Sequence, residues 1–125
     1  MRVETMSANA QPKGPNYSIK NVETVAAGKD LRVRLFTLAP GEVIPWHLHS
    51  EIADEFFVLD GELTVETRAS DEYRVLAVGE RYRVNAGHAH QTSNCGVQDC
   101  RFLIVQGIGN FKDLTRTLVE GLPCQ

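Results

Sequence analysis

Long apolar runs are missing from this chain of 125 residues. Its longest, such as Phe102 to Val105, fall far short of the roughly 20 residues that a membrane-spanning helix needs, so no membrane span is expected. Missing too is any stretch that concentrates Lys and Arg. The 13 basic residues are scattered among 16 acidic ones, the net charge is -3 and the pI is about 5.8. No nucleic-acid partner is therefore expected, because the basic footprint of such binding is absent. The opening Met1 to Pro15 mixes Arg2, Glu4, Asn9, Gln11 and Lys13 without an apolar h-region; no secretory signal is read there, and the expected compartment is the cytoplasm. Cysteine is scarce: Cys95, Cys100 and Cys124 are odd in number and form no C-x-x-C pair, which argues against a disulfide framework or a thiolate zinc site. Free thiols are expected, with a Cys95 to Cys100 link across a turn as the alternative. No Ser-His-Asp arrangement, phosphate-cradling glycine loop or cysteine nucleophile with an adjacent base is present.

What remains is an ordinary globular composition, 42% apolar and 23% charged, at a length that suits one domain with a core of its own. The polar opening, residues 1–16, reads as a flexible N-terminal arm, and residues 17–125 as a single domain. Within it, short runs rich in Val, Leu, Ile, Phe and Thr alternate with turn residues. Predicted strands are Leu31 to Leu38, Val43 to His49, Glu55 to Leu59, Glu62 to Thr67, Tyr73 to Ala77, Arg81 to Val84, His90 to Ser93 and Phe102 to Gln106. Ala39-Pro40-Gly41, Asp60-Gly61, Ser70-Asp71, Val78-Gly79 and Asn85-Ala86-Gly87 supply the turn chemistry between them. The fold class is all-β, a sandwich or barrel. In the tail, Phe111, Leu114 and Leu118 follow a candidate Asn110 cap at helical spacing, which predicts a short C-terminal helix near Asp113 to Val119.

Histidine is rare, and two of the four lie together. His47 and His49 sit two apart on a predicted strand, so their side chains share a face and offer two imidazoles to one ion. Asp54-Glu55 opens the next apolar run. The two-residue period puts Asp54 on the face of Phe56 and Val58, which line the cavity or fill the core, and turns Glu55 the other way. Arg32 and Arg34 share a face of the first long strand; a solvated outer face is expected, with an anion-binding pocket as the alternative.

Gly41-x5-His47-x-His49-x4-Asp54-x6-Gly61 resembles the first cupin motif, with Asp54 where the family usually has Glu. Gly79-x5-Asn85-x-Gly87-x2-His90-x3-Asn94 resembles the second, with Asn85 in place of the usual Pro. The resemblance implies a cupin-type double-stranded β-helix, or jelly-roll barrel. It also implies a metal site inside that barrel on His47, His49, Asp54 and His90. Three imidazoles and a carboxylate suit one divalent transition metal ion, Fe, Mn, Ni, Zn, Co or Cu, and carry too few oxygens for calcium. Asp is a methylene shorter than Glu, so Glu51, Glu55 and a bridging water stand as reserves for the fourth ligand. His88, two residues before His90, gives a rival site of four imidazoles, although Gly87 interrupts the alternation there.

The cupin resemblance opens a range of functions. One is a metal-dependent enzyme, of dioxygenase, isomerase, decarboxylase or lyase type, acting on a small oxygen-bearing molecule. Another is a non-catalytic module that binds or senses a small molecule. A purely structural metal is disfavoured, since such sites are usually closed by cysteines. The expected partners are a small-molecule ligand or substrate and, by the same resemblance, a second copy in a homodimer.

Overall fold

A computed structural model of the chain describes residues 18–68, 71–107 and 115–117. It contains β1 (Asn21–Ala27), β2 (Leu31–Leu38), β3 (Val43–His49), β4 (Ala53–Asp60), β5 (Leu63–Thr67), β6 (Glu72–Leu76), β7 (Arg81–Val84), β8 (His90–Ser93), β9 (Cys100–Gly107) and β10 (Thr115–Thr117). All pairings are antiparallel, in two five-stranded sheets of order β1-β2-β9-β4-β7 and β10-β3-β8-β5-β6. This is the all-β jelly-roll expected. Among the described residues no helix is long and apolar enough to cross a membrane.

Alternation along the strands builds the interior. Phe36 and Leu38 from β2, Phe56 and Val58 from β4, Leu63 and Val65 from β5, and Phe102 and Ile104 from β9 meet in one buried cluster. Phe102 stacks on Phe36 with ring centroids 5.6 Å apart and leans on Phe56 at 6.3 Å. Each such side chain contributes roughly 1.5–3 kcal/mol by leaving water. The Asp60-Gly61 turn closes beneath β9. Gly61 adopts φ +75°, and a Cβ there would lie 2.5 Å from the Asp99 carbonyl oxygen, so the turn requires glycine.

Three expectations are corrected. Strand β1 was not anticipated; it lies at a sheet edge and is exposed along most of its length, so it lacks the alternation that marks a half-buried strand. The C-terminal helix fails within the described residues, where Thr115–Thr117 pair with β3, Thr115 opposite His49 and Thr117 opposite His47. Helical spacing of Phe111, Leu114 and Leu118 is a local preference. The open edge of β3 and two β-branched threonines outweigh it here. The remainder of that segment, and the arm at residues 1–16, lie outside the described residues. Finally, Cys95 is disulfide-bonded rather than free. Cys100 is a free thiol in the core, so the two are not linked. Burial, and then the charges of Asp60 and Glu62, push the Cys100 thiol up to about 12, which leaves it inert.

Candidate metal centre

Strand β3 carries a bulge that decides where its histidines point. Ile44 pairs with Thr92 and His47 with His90, leaving Pro45 and Trp46 opposite Gln91 alone. Proline has no N–H for the ladder and is at home in a bulge. Ile44 packs against the core, and the extra residue lets His47, three positions on, face the same interior. Trp46 is buried outside the core cluster, with the Arg68 guanidinium 4.7 Å from its ring centroid.

His47, His49 and His90 come from neighbouring strands of one sheet, and Asp54 comes from the sheet opposite. One ligand atom from each of the four lies within 4.8 Å of every other. The His47 and His90 ring centroids are 4.4 Å apart, and Phe56 closes one side of the group with its ring edge-on to His90 at 6.1 Å. His47 Nδ1 lies 2.7 Å from the Pro45 carbonyl oxygen and His90 Nδ1 lies 2.9 Å from that of His88. A carbonyl only accepts, so each Nδ1 carries a proton and donates it. The Nε2 atoms are thereby the ones turned to the centre, the arrangement in which backbone carbonyls fix the tautomer of a ligating imidazole.

Asp54 Oδ2 lies 3.0 Å from His90 Nε2 and 3.2 Å from His49 Nε2. Burial alone would raise this carboxyl, but the hydrogen bonds and charges of His49 and His90 outweigh it and hold Asp54 well below the usual carboxylate range. Burial, reinforced by His90 and His49, pushes His47 down to about 3. A neutral His47 and an ionised Asp54 are the protonation states a cation requires of its ligands, and a cation would take the place of the Nε2 protons through which His49 and His90 hold Asp54. Three imidazoles and one carboxylate so placed fit a divalent transition metal.

Behind Asp54 runs an inward-facing row across the sheet, Asp54 on β4 opposite Gln106 on β9, which stands opposite Arg32 on β2. Gln106 Nε2 donates to Asp54 Oδ1 at 2.8 Å. Gln106 Oε1 accepts from Arg32 Nε at 3.1 Å, Arg32 Nη2 at 2.5 Å and Arg34 Nη2 at 3.2 Å. The expectation of a solvated arginine face is thus overturned: Arg34 is only 3% exposed and Arg32 is partly buried. Both faces of β2 carry apolar residues, so parity could not show which one turned inward. Gln106 was missed, though its even spacing from Phe102 and Ile104 marks it as a polar residue on an inward face.

The reserves stay out of the group. Glu55 faces outward, 3.7 Å from Arg83, as the alternation required. Glu51 is exposed. His88 gives its carbonyl to His90 while its own N–H bonds to Asn85, continuing the turn at Gly87, where φ is +82°.

The family model described as the cupin domain matches residues 34–106. No curated protein matches the sequence. A double-stranded β-helix protein from Klebsiella pneumoniae is similar in structure, with a TM-score of 0.66 at 21% identity over 94% of this chain and 99% of that one. KdgF from a Halomonas species gives 0.65 at 21% identity, over 78% and 84%. The DMSP lyase DddQ from Ruegeria pomeroyi gives 0.72 at 16% identity, over 90% of this chain and 59% of that one.

Proposed function

This chain belongs to the cupin family, and on that premise we propose that His47, His49, Asp54 and His90 hold one divalent transition metal ion in an enzyme acting on a small oxygen-bearing molecule. The observation that carries this reading is the convergence of three imidazoles and one carboxylate within 4.8 Å. Four protein ligands without a thiolate leave one or two positions open on an ion that accepts five or six. Such an ion supplies Lewis-acid polarisation of a carbonyl or carboxylate or, as Fe(II), activation of oxygen. The protein's own contribution is orientation and exclusion. Pro45 and His88 carbonyls aim two imidazoles, Asp54 brings the negative charge, and Phe56 walls one side from water. Two of the structural relatives are DMSP lyases, and lyase is one of the dioxygenase, isomerase, decarboxylase and lyase types open to this site.

The test is elemental analysis of purified protein, followed by assay of stripped and reloaded samples against small carboxylates, enols and sugar acids. About one ion per chain, lost in His47→Ala, and turnover that depends on it support the reading. A protein that holds metal and ligand without metal-dependent turnover is a binding module instead.

We also propose that the chain acts as a homodimer through the outer face of the first sheet. Leu35, Leu103 and Phe57 form one outward cross-strand row, with Val33 and Val105 beside it. A sheet with apolar residues on both faces is suited to being covered on both. Glu23 stands at the β1 end of the first row and Arg81 at its β7 end. A second copy turned about an axis midway between the two copies' β9 directions would lay each Glu23 edge over the partner's Arg81 edge. At two strands from the axis, about 9.6 Å, a sheet crossing of about 30° displaces the edges by about 5 Å. That keeps Glu23 within reach of Arg81 or Arg83.

A further inference from the structure

We infer that Gln106 is a positioning residue for the Asp54 carboxylate, and that Arg32 and Arg34 determine which way round its amide stands. The inference rests on the metal reading above. A glutamine amide has two ends of nearly equal size, one accepting and one donating. Here three N–H groups from two guanidiniums converge on one of those ends. Guanidinium only donates, so that end is the oxygen, and the NH2 end faces Asp54 Oδ1 at 2.8 Å. Reversing the amide would set its NH2 group against guanidinium donors and its oxygen against a carboxylate oxygen, two repulsive contacts at once. The arginines thus act on the carboxylate through an amide that cannot turn.

The consequence concerns how Asp54 presents itself. Its Oδ1 is held by Gln106, and only Oδ2 faces His49 and His90. The carboxylate therefore offers a metal one oxygen rather than two, at a fixed angle. All four residues lie on one inward face of β4, β9 and β2, Arg34 being two positions along β2 from Arg32. The register of the sheet aligns the chain of contacts.

Charge and positioning predict opposite signs, which makes the inference testable. By Coulomb repulsion alone, removing two cationic side chains from beside a cation site should tighten metal binding. If the arginines act by orienting Gln106, removing them should weaken it. The same opposition holds for Gln106→Glu, which keeps size and the acceptor for both arginines, adds negative charge and loses the donor to Asp54.

Full-length wild type, Gln106→Met, Gln106→Glu, Arg32→Met/Arg34→Met and the triple variant are loaded with Co(II). Affinity is read by chelator competition and ligand geometry by the visible absorption of Co(II), with far-UV circular dichroism reporting folding. Both Gln106 variants are expected to bind about tenfold more weakly or worse, with an altered Co(II) spectrum. The arginine pair variant should weaken binding in the same direction, and the triple variant should be no weaker than Gln106→Met, since the arginines then have nothing left to orient. If the arginine variants do not fold, Gln106→Glu decides by its sign alone. Tighter binding in Gln106→Glu, tighter or unchanged binding in the arginine pair, or additive losses in the triple variant overturns the inference while leaving the metal reading intact. A wild type that takes up neither Co(II) nor any other of the candidate ions overturns both.

Discussion

His90 Nε2 and Asp54 Oδ2 lie 3.0 Å apart across the barrel interior, one from each sheet. Separated by 36 residues, they meet because β8 and β4 face each other. Replacing Asp54 by Ala removes the only carboxylate of the group and is expected to cost tenfold or more in metal affinity. His88→Ala should leave it nearly unchanged, and Asp54→Glu should retain metal, since it restores the ligand length usual in the family. Metal content after dialysis against a mild chelator checks all three; retention in Asp54→Ala equal to wild type would remove Asp54 from the site.

Asn94 is fully buried and works as a clamp. Its Nδ2 donates to the carbonyls of Leu38 and Gln98, both at 2.8 Å, and its Oδ1 accepts from Gly96 N–H. Asn94→Ala leaves the Leu38 carbonyl without that partner, and is expected to destabilise the fold by about 2–4 kcal/mol. Urea unfolding measures it; a loss below about 1 kcal/mol would mean that water replaces the side chain.

The arrangement that Asn94 ties together was largely legible in the residues. Strands β2, β3, β7 and β8 fall where alternation and turn chemistry put them, and Asp54 lies on the face that the two-residue period assigned from Phe56 and Val58. What escaped was information that alternation does not carry. Exposed β1 has no buried face to mark it. On β2 the inward side holds Arg32 and Arg34 while the outward side holds Val33 and Leu35, an inversion that only the partner Gln106 explains. The disulfide at Cys95 depends on chain proximity, which spacing does not give.

Acid should destabilise the metal-free protein. His47 titrates near its ordinary 6.5 when unfolded and at about 3 when folded, so between those values the unfolded chain binds the extra proton and stability falls with pH. The lowered Asp54 carboxyl acts in the same direction further into acid, its stabilisation being present above the unfolded value and lost below it. A loss of about 1–2 kcal/mol between pH 7 and pH 5 is expected from His47. Chemical denaturation at the two values, in wild type and His47→Gln, tests this; an equal loss in both would assign it elsewhere.

The proposed dimer is tested by exchanging charge. Glu23→Arg and Arg81→Glu should each weaken self-association about five- to tenfold, because a two-fold axis repeats every pair, and the double variant should recover it. Leu103→Lys, at the centre of the apolar row, should yield a monomer with unchanged circular dichroism. Sedimentation at micromolar concentration reads all four; a monomeric wild type would end the proposal.

The bulge at Pro45 and Trp46 gives β3 two phases of side-chain direction, one set by Ile44 in the core and the other by His47 at the site. A strand of the same length without the bulge would have to choose between them. Keeping Ile44 inside would turn both imidazoles outward, and keeping the imidazoles inside would expel Ile44. Pro45 therefore works like a frame shift in a message with two reading frames. Losing one residue here restores regular alternation with both ends in place, whereas straightening the strand at full length would scramble one half of it.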